Sequence, residues 1–166
     1  INDSLTPIIK AITWFGSATC LITLSIILFI LIKNKKVGVL IGTNLIIITV
    51  LNQILKFLLQ RPRPTEFRII NESGYSFPSG NSMISMAFYG FLIYLICKYI
   101  NNKYLKSFLV FILSLLIIMI GFSRIYLGVH YTSDVIAGFL VSISYLIVYT
   151  NFSKKIIFEK ESNNEK

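Results

Sequence analysis

SFLVFILSLLIIMIGFS, residues 107–123, runs for seventeen residues without a charge, and RIYLGVHYTSD, residues 124–134, follows it directly. The first string comes close to the length needed to cross a bilayer's hydrocarbon, and Lys106 extends it if its ammonium snorkels to the interface. The second string places an arginine, the chain's single histidine and an aspartate within eleven residues. Ionisable residues at the end of a membrane helix are functional candidates by default. Fold and chemistry are therefore both anchored in this segment.

Outward from it, four more apolar runs approach or meet the length of about 20 residues that a spanning helix requires. They are Ala11–Ile32, with 22 uncharged residues, Val37–Leu55 and Val135–Ser153, with 19 each, and a helix that starts near Ser79–Ser82 and ends at Cys97. The expectation is an all-α integral membrane helical bundle with five transmembrane helices. Residues 1–153 form its single domain, and residues 154–166 form a short polar cytoplasmic tail. Composition agrees. The 166 residues are 55% hydrophobic and 14% charged, with a mean hydropathy of +0.74. A soluble domain is about half apolar and about a quarter charged. Disorder, a disulfide mini-protein and an ordinary cytosolic domain are poor fits. Cys20 and Cys97 each sit inside an apolar run, where they act as small hydrophobes rather than as a redox framework or a zinc site.

The formal charge is +9, and its placement decides its meaning. Five spans with short connections put Lys33, Lys35, Lys36, Lys98, Lys103, Lys106, Lys154, Lys155, Lys160 and Lys166 on one face. Lys10, Lys56, Arg61, Arg63, Arg68 and Arg124 fall on the other. By the positive-inside rule the lysine face is cytoplasmic. Ile1 then starts outside, Lys166 ends inside, and the arginine face is extracytoplasmic. The basic excess is a topology signal, and no nucleic-acid partner is expected. Position 1 is not Met and no signal peptide follows it, so further sequence upstream is expected.

Each charged residue of the arginine face has an ordinary explanation when taken singly. Lys56 can snorkel from a helix end, and Arg61-Pro62-Arg63-Pro64 can be a solvated, helix-stopping loop. Asp134 can complement a helix dipole, and Pro78-Ser79-Gly80 can be a turn before a cap. A lone histidine is more often structural than catalytic. Together these explanations require several independent coincidences on one side of the membrane. A shared site explains them at once. Arginine forks and a lysine point charge suit phosphoryl oxygens. A helix starting at Ser79-Gly80 presents free N–H groups to the same anion, and glycine permits close approach. His130 and Asp134 are four apart and share a face if both are helical. A carboxylate on one ring nitrogen fixes the tautomer and leaves the other nitrogen as the nucleophile. Asp3, Glu66, Glu72 and Asp134 are scattered singly and offer no carboxylate cluster for Mg²⁺ or Zn²⁺. Metal-independent phosphoryl transfer through a covalent histidine is the expected chemistry, with no cofactor.

These residues resemble the type 2 phosphatidic acid phosphatase family of membrane lipid phosphatases. Lys56, six residues and Arg63-Pro64 match its first motif, and Ser123-Arg124, His130 and Asp134 match its third in full. Pro78-Ser79-Gly80 matches the second and then departs, because position 81 is Asn where the family carries His. The resemblance implies that His130 attacks phosphorus and that Asp134 orients and stabilises it. It also implies that Lys56, Arg63, Arg124, Ser79 and the Gly80 backbone hold the phosphoryl oxygens, with Arg61 at most assisting. The family fold usually has six transmembrane helices, so the first is expected to be absent from this chain and to carry no chemistry.

In the family the residue at position 81 is the general acid. Asparagine donates a hydrogen bond but delivers no proton. Two readings stay open: an inactivating substitution of the kind made to trap a complex, favoured by the otherwise intact site, or a natural variant tolerant of a good leaving group. The expected function is hydrolysis of a lipid phosphate or diphosphate at the outer leaflet of a bacterial plasma membrane, with the lipid tail lying between helices. The expected substrates are undecaprenyl diphosphate, phosphatidylglycerophosphate or phosphatidic acid. Two rivals remain. One is a non-hydrolysing lipid-phosphate binder, a sensor or transporter element. The other is a structural membrane protein whose arginines bind only anionic headgroups, which predicts that Lys56, Arg63, Arg124 and His130 do not converge on one pocket.

Overall fold

A computed structural model describes residues 4–158. Asp3, Lys160, Lys166, both chain ends and most of the expected polar tail lie outside the described residues. The described residues form six helices and no strand: α1 (Leu5–Trp14), α2 (Ala18–Leu31), α3 (Lys35–Leu59), α4 (Gly80–Tyr99), α5 (Lys103–Tyr126) and α6 (Thr132–Phe158). Four of them, α3 to α6, are long and apolar enough to cross a membrane, and α1 with α2 makes a fifth if the bent pair counts as one span.

The bent pair corrects the expectation of one straight helix over residues 11–32. The chain turns by 48° between α1 and α2. Ser17 is extended there, and its hydroxyl accepts from Cys20 N at 3.3 Å, so it caps a new helix rather than continuing the old one. Gly16 lets the bend pack tightly. A Cβ on it would lie 2.7 Å from Ile120 Cγ2 and 3.3 Å from Asn81 Cβ. Hydropathy does not register a cap inside an apolar run, which is why the break is silent on that scale.

The other ends follow local chemistry. Asn34 and Asn102 cap α3 and α5 with side-chain oxygens on Lys36 N and Leu105 N. Gln60 takes a left-handed conformation (φ 45°) and closes α3 just before Arg61-Pro62. At the far end α6 continues past residue 153 to Phe158, so the helix takes in the first residues of the expected tail.

α4 is the central helix, packed against α3, α5 and α6. Leu21, Ile41, Phe88, Phe91 and Ile120 fill the core. Glycines let the helices approach as they do in membrane bundles. A Cβ on Gly121 would meet Phe139 Cζ at 2.4 Å, and one on Gly138 would meet Ser79 O at 3.2 Å. Ser142 Oγ then donates across the α4–α6 contact to Met83 O at 2.6 Å. The outer faces are apolar, with Phe108, Phe111 and Ile118 all more than 60% exposed on α5. Such a surface suits lipid rather than water. One end of the bundle collects the end of α3, the starts of α4 and α6, the end of α5, and the bend between α1 and α2.

Candidate active site

α3 delivers Lys56 in its last turn, α5 delivers Arg124 in its last turn, and α4 begins at Gly80-Asn81. Two loops complete the wall: residues 60–79 bring Arg63 and Glu72, and residues 127–131 bring His130. Lys56, Arg63, Gly80, Asn81, Arg124 and His130 line one cavity of about 560 Å³. A purely structural role would have left the basic residues apart. The cavity continues from this polar end into an apolar groove along α2, α3 and α4, lined by Leu21, Ile22, Leu45, Phe57 and Ile84.

The turn before His130 depends on one glycine. Gly128 has φ +69°, and a Cβ there would sit 2.3 Å from Phe67 O. Only glycine takes this backbone without strain or collision. His130 precedes α6 instead of lying on it, which corrects the expected shared helical face. Asp134, in the first turn of α6, reaches back: its Oδ2 accepts from Tyr131 N at 2.9 Å and lies 3.5 Å from His130 Nδ1. Its Oδ1 accepts from Arg61 Nη1 at 2.7 Å. Asp134 is fully buried, and the cation beside it offsets part of the cost of burying its charge.

The other ring nitrogen of His130 faces the cavity's cations. Arg63 Nη1 lies 3.1 Å from Nε2. Arginine has no acceptor, so Nε2 must carry a lone pair and the ring proton must sit on Nδ1. Burial, then the charges of Arg63, Arg124 and Lys56, push the His130 pKa down to about 2. The imidazole is therefore neutral at any ordinary pH.

Arg63 is also a loop staple. It donates to Gly74 O (3.0 Å), Ser73 O (2.9 Å) and Val129 O (3.0 Å). Arg124 is 2% exposed and donates to Thr13 Oγ1 (2.8 Å) and Glu72 Oε1 (2.6 Å), while its Nε has no partner among the described residues. Lys56 donates to Tyr75 O and keeps its remaining donors. Among the described residues, no group of three metal-ligating side chains is present.

Ser79 does not line the cavity. It is buried, its hydroxyl pairs with Ser82 Oγ at 2.8 Å, and its N–H donates to Asp134 O at 3.1 Å. Asn81 does line it, with Nδ2 3.4 Å from Thr13 O. Sequence reasoning missed Thr13, Glu72 and Ser76, and no spacing rule marks any of them. Asn52 was findable: it lies one turn before Lys56, shares its helix face, and lines the same cavity.

A bundle of membrane-spanning helices holding a cationic pocket beside a neutral histidine defines a class of membrane anion-site proteins. The family model of the PAP2 superfamily matches residues 37–158, and this chain belongs to that superfamily. It is a multi-pass membrane protein. It is 34% identical over 108 residues to phosphatidylglycerophosphatase B of Bacillus subtilis, covering 64% of this chain and 53% of that protein. It is 28% identical over 145 residues to undecaprenyl-diphosphatase of Sulfolobus acidocaldarius, covering 81% of this chain and 65% of that protein. The chain thus spans between half and two thirds of the length of these relatives. Among solved structures, the transmembrane PAP2-type phosphatidylglycerolphosphate phosphatase from Bacillus subtilis superposes with a TM-score of 0.86 at 29% identity, covering 94% of this chain and 80% of that one. Aquifex aeolicus LpxE superposes with a TM-score of 0.74 at 27% identity, covering 91% and 88%.

Proposed function

We propose that this protein hydrolyses a lipid phosphate or diphosphate through a phosphohistidine intermediate, without a metal, at the extracytoplasmic face of a bacterial plasma membrane. The observation that carries this is the cavity itself. Its polar end holds Lys56, Arg63 and Arg124 around a neutral His130, and its other end is an apolar groove between helices. A phosphoryl headgroup fits the first and an acyl or prenyl tail the second. The lysines at the α2–α3 and α4–α5 connections, at the opposite end of the bundle from the cavity, support that sidedness. The names of the relatives point to phosphatidylglycerophosphate and undecaprenyl diphosphate as the substrate classes to try first.

The groups divide the reaction between them. Lys56, Arg63 and Arg124 bind the phosphoryl oxygens and take up the charge that develops on them. The unpaired N–H groups at the start of α4 add donors from Gly80 onward. His130 Nε2 supplies the lone pair. Phosphate release from a panel of lipid monophosphates and diphosphates tests the proposal. Turnover of at least one class, unchanged by EDTA, is expected. Binding without turnover on every substrate would favour the non-hydrolysing binder, to which the missing acid at Asn81 also points.

Glu72 bears on affinity. Its carboxylate, 35% exposed, sits 2.6 Å from Arg124 and 4.0 Å from Arg63, where an incoming phosphate must bind. Glu72→Gln should tighten competitive inhibition by inorganic phosphate by roughly fivefold, the ~1 kcal/mol scale of a partly exposed ion pair. An unchanged or weaker inhibition constant would show that Glu72 orders Arg124 instead of competing for it.

A further inference from the structure

The route from Asp134 to His130 is indirect. Asp134 Oδ2 lies 3.5 Å from His130 Nδ1, the outer limit for a hydrogen bond. Between them stands Ser76, fully buried, with its Oγ 2.5 Å from Asp134 Oδ2 and 3.3 Å from His130 Nδ1. The sequence places Ser76 two residues ahead of Pro78-Ser79-Gly80 and gives no reason to single it out.

We infer that Ser76 is a positioning residue, whose hydroxyl connects the Asp134 carboxylate to the Nδ1–H of His130 and so orients the ring that carries the attacking nitrogen. The inference rests on the phosphatase reading above and deepens it. The Ser76 backbone also contacts His130, and the side-chain roles fix how the hydroxyl is used beside it. A buried, ion-paired carboxylate only accepts, so the short contact is Ser76 O–H donating to Asp134. The hydroxyl's lone pairs are then free for the imidazole. Arg63 donates to Nε2, so the ring's own proton is on Nδ1, which lies 3.3 Å from Ser76 Oγ. The rest of the Asp134 carboxylate is taken by Arg61 Nη1 and Tyr131 N. Ser76 cannot drift, because its N–H donates to Arg61 O at 2.8 Å. Arg61 thus holds both ends of the connection, its side chain on Asp134 and its carbonyl on Ser76.

In the first chemical step the Nε2 lone pair attacks phosphorus. The Nε2–P bond forms, the bond from phosphorus to the leaving oxygen breaks, and its electron pair departs with that oxygen. The ring becomes cationic and keeps its Nδ1 proton, so no proton crosses to Ser76 or Asp134. The two hydrogen bonds strengthen as the charge appears, which makes them worth more in the transition state than in the resting site.

The test uses Ser76→Ala and Ser76→Thr in the full chain, with kcat and KM measured on a substrate that the parent turns over. Ser76→Ala should lower kcat by roughly 10- to 100-fold, the scale known for the hydrogen-bond partners that orient metal-binding histidines. KM should stay within about twofold, since Ser76 does not line the cavity and so binds no substrate. Ser76→Thr keeps the hydroxyl and should recover most of the loss. A second readout does not depend on turnover. His130 is the single histidine, so ¹⁵N-histidine labelling reports one imidazole. The Nδ1–H tautomer, which Arg63 also favours, should persist in all three forms, while the hydrogen bond of the Nδ1 proton should weaken in Ser76→Ala alone, read as an upfield shift and faster exchange of that proton. Unchanged kcat in Ser76→Ala, or a fall in kcat with the Nδ1 proton signal unchanged, would overturn the inference. If no lipid phosphate is turned over at all, the proposed function fails, and the Nδ1 proton signal still decides the role of Ser76.

Discussion

His130→Ala should lower phosphate release by at least about 10⁴-fold, the scale of loss when an enzyme is deprived of its nucleophile. Binding should survive, because Lys56, Arg63 and Arg124 remain around the cavity. The expected result is a variant that still binds inorganic phosphate and lipid phosphate but forms no acid-labile phosphoenzyme. Residual turnover within about tenfold of the parent would remove the covalent step from the mechanism.

The same residue sets the pH behaviour. Burial and the flanking cations hold the ring neutral down to about pH 2, against an ordinary value of 6.5. On the proposed mechanism His130 therefore stays a competent nucleophile through the acid range, and kcat/KM should show no limb from it near 6.5. Any acid limb near pH 6 belongs to the substrate, where a phosphate monoester takes up its second proton. Stability carries the opposite sign. Below about 6.5 the unfolded chain binds a proton that the folded chain refuses until about 2. The contribution of this group to stability is intact above about 6.5 and is lost progressively as pH falls from there toward 2. Thermal unfolding of His130→Ala should accordingly be less acid-sensitive than that of the parent between pH 6.5 and 4.

The parts of the site that rest on helix geometry were legible in the sequence, and the parts that rest on loop placement were not. Lys56 to Arg63 spans one helix end and a proline-stiffened exit. Arg124 to Asp134 spans one helix end, one tight turn and one helix start. Over such short stretches, spacing along the chain nearly fixes spacing in space. Glu72 and Ser76 sit in a loop of about twenty residues whose path is set by tertiary bonds, chiefly the Arg63 guanidinium on the carbonyls of Ser73, Gly74 and Val129. No local pattern encodes those bonds. Thr13 reaches Arg124 across 111 positions, and only because the chain bends after α1. That bend hides inside an uninterrupted apolar run. Ser79 shows the reverse error: a residue in the right motif whose hydroxyl is spent within the bundle, on Ser82.

Asn81→His should raise hydrolysis of a lipid monophosphate by about 10²- to 10⁴-fold, the usual contribution of a general acid. Asn81 lines the cavity in the first turn of α4, beside His130 and Lys56. Gly16 flanks it without a side chain, and a Cβ there would lie 3.5 Å from Asn81 Nδ2. The bend packs closely on that side, so an imidazole at position 81 has to turn into the cavity that Asn81 lines. A monophosphate ester expels an alkoxide, which needs a proton as the bond to phosphorus breaks. The asparagine amide cannot deliver one, so the parent must wait for water to do so. A diphosphate expels a phosphate whose second pKa is about 6, so it leaves without protonation near neutral pH. The gain on a diphosphate should therefore be small, within about tenfold. The ratio of the two gains is the informative quantity. A large gain on the monophosphate alone means that Asn81 restricts this site to good leaving groups. Equal gains on both mean that the histidine acts through binding or positioning, and no gain on either removes general-acid loss as the account of Asn81.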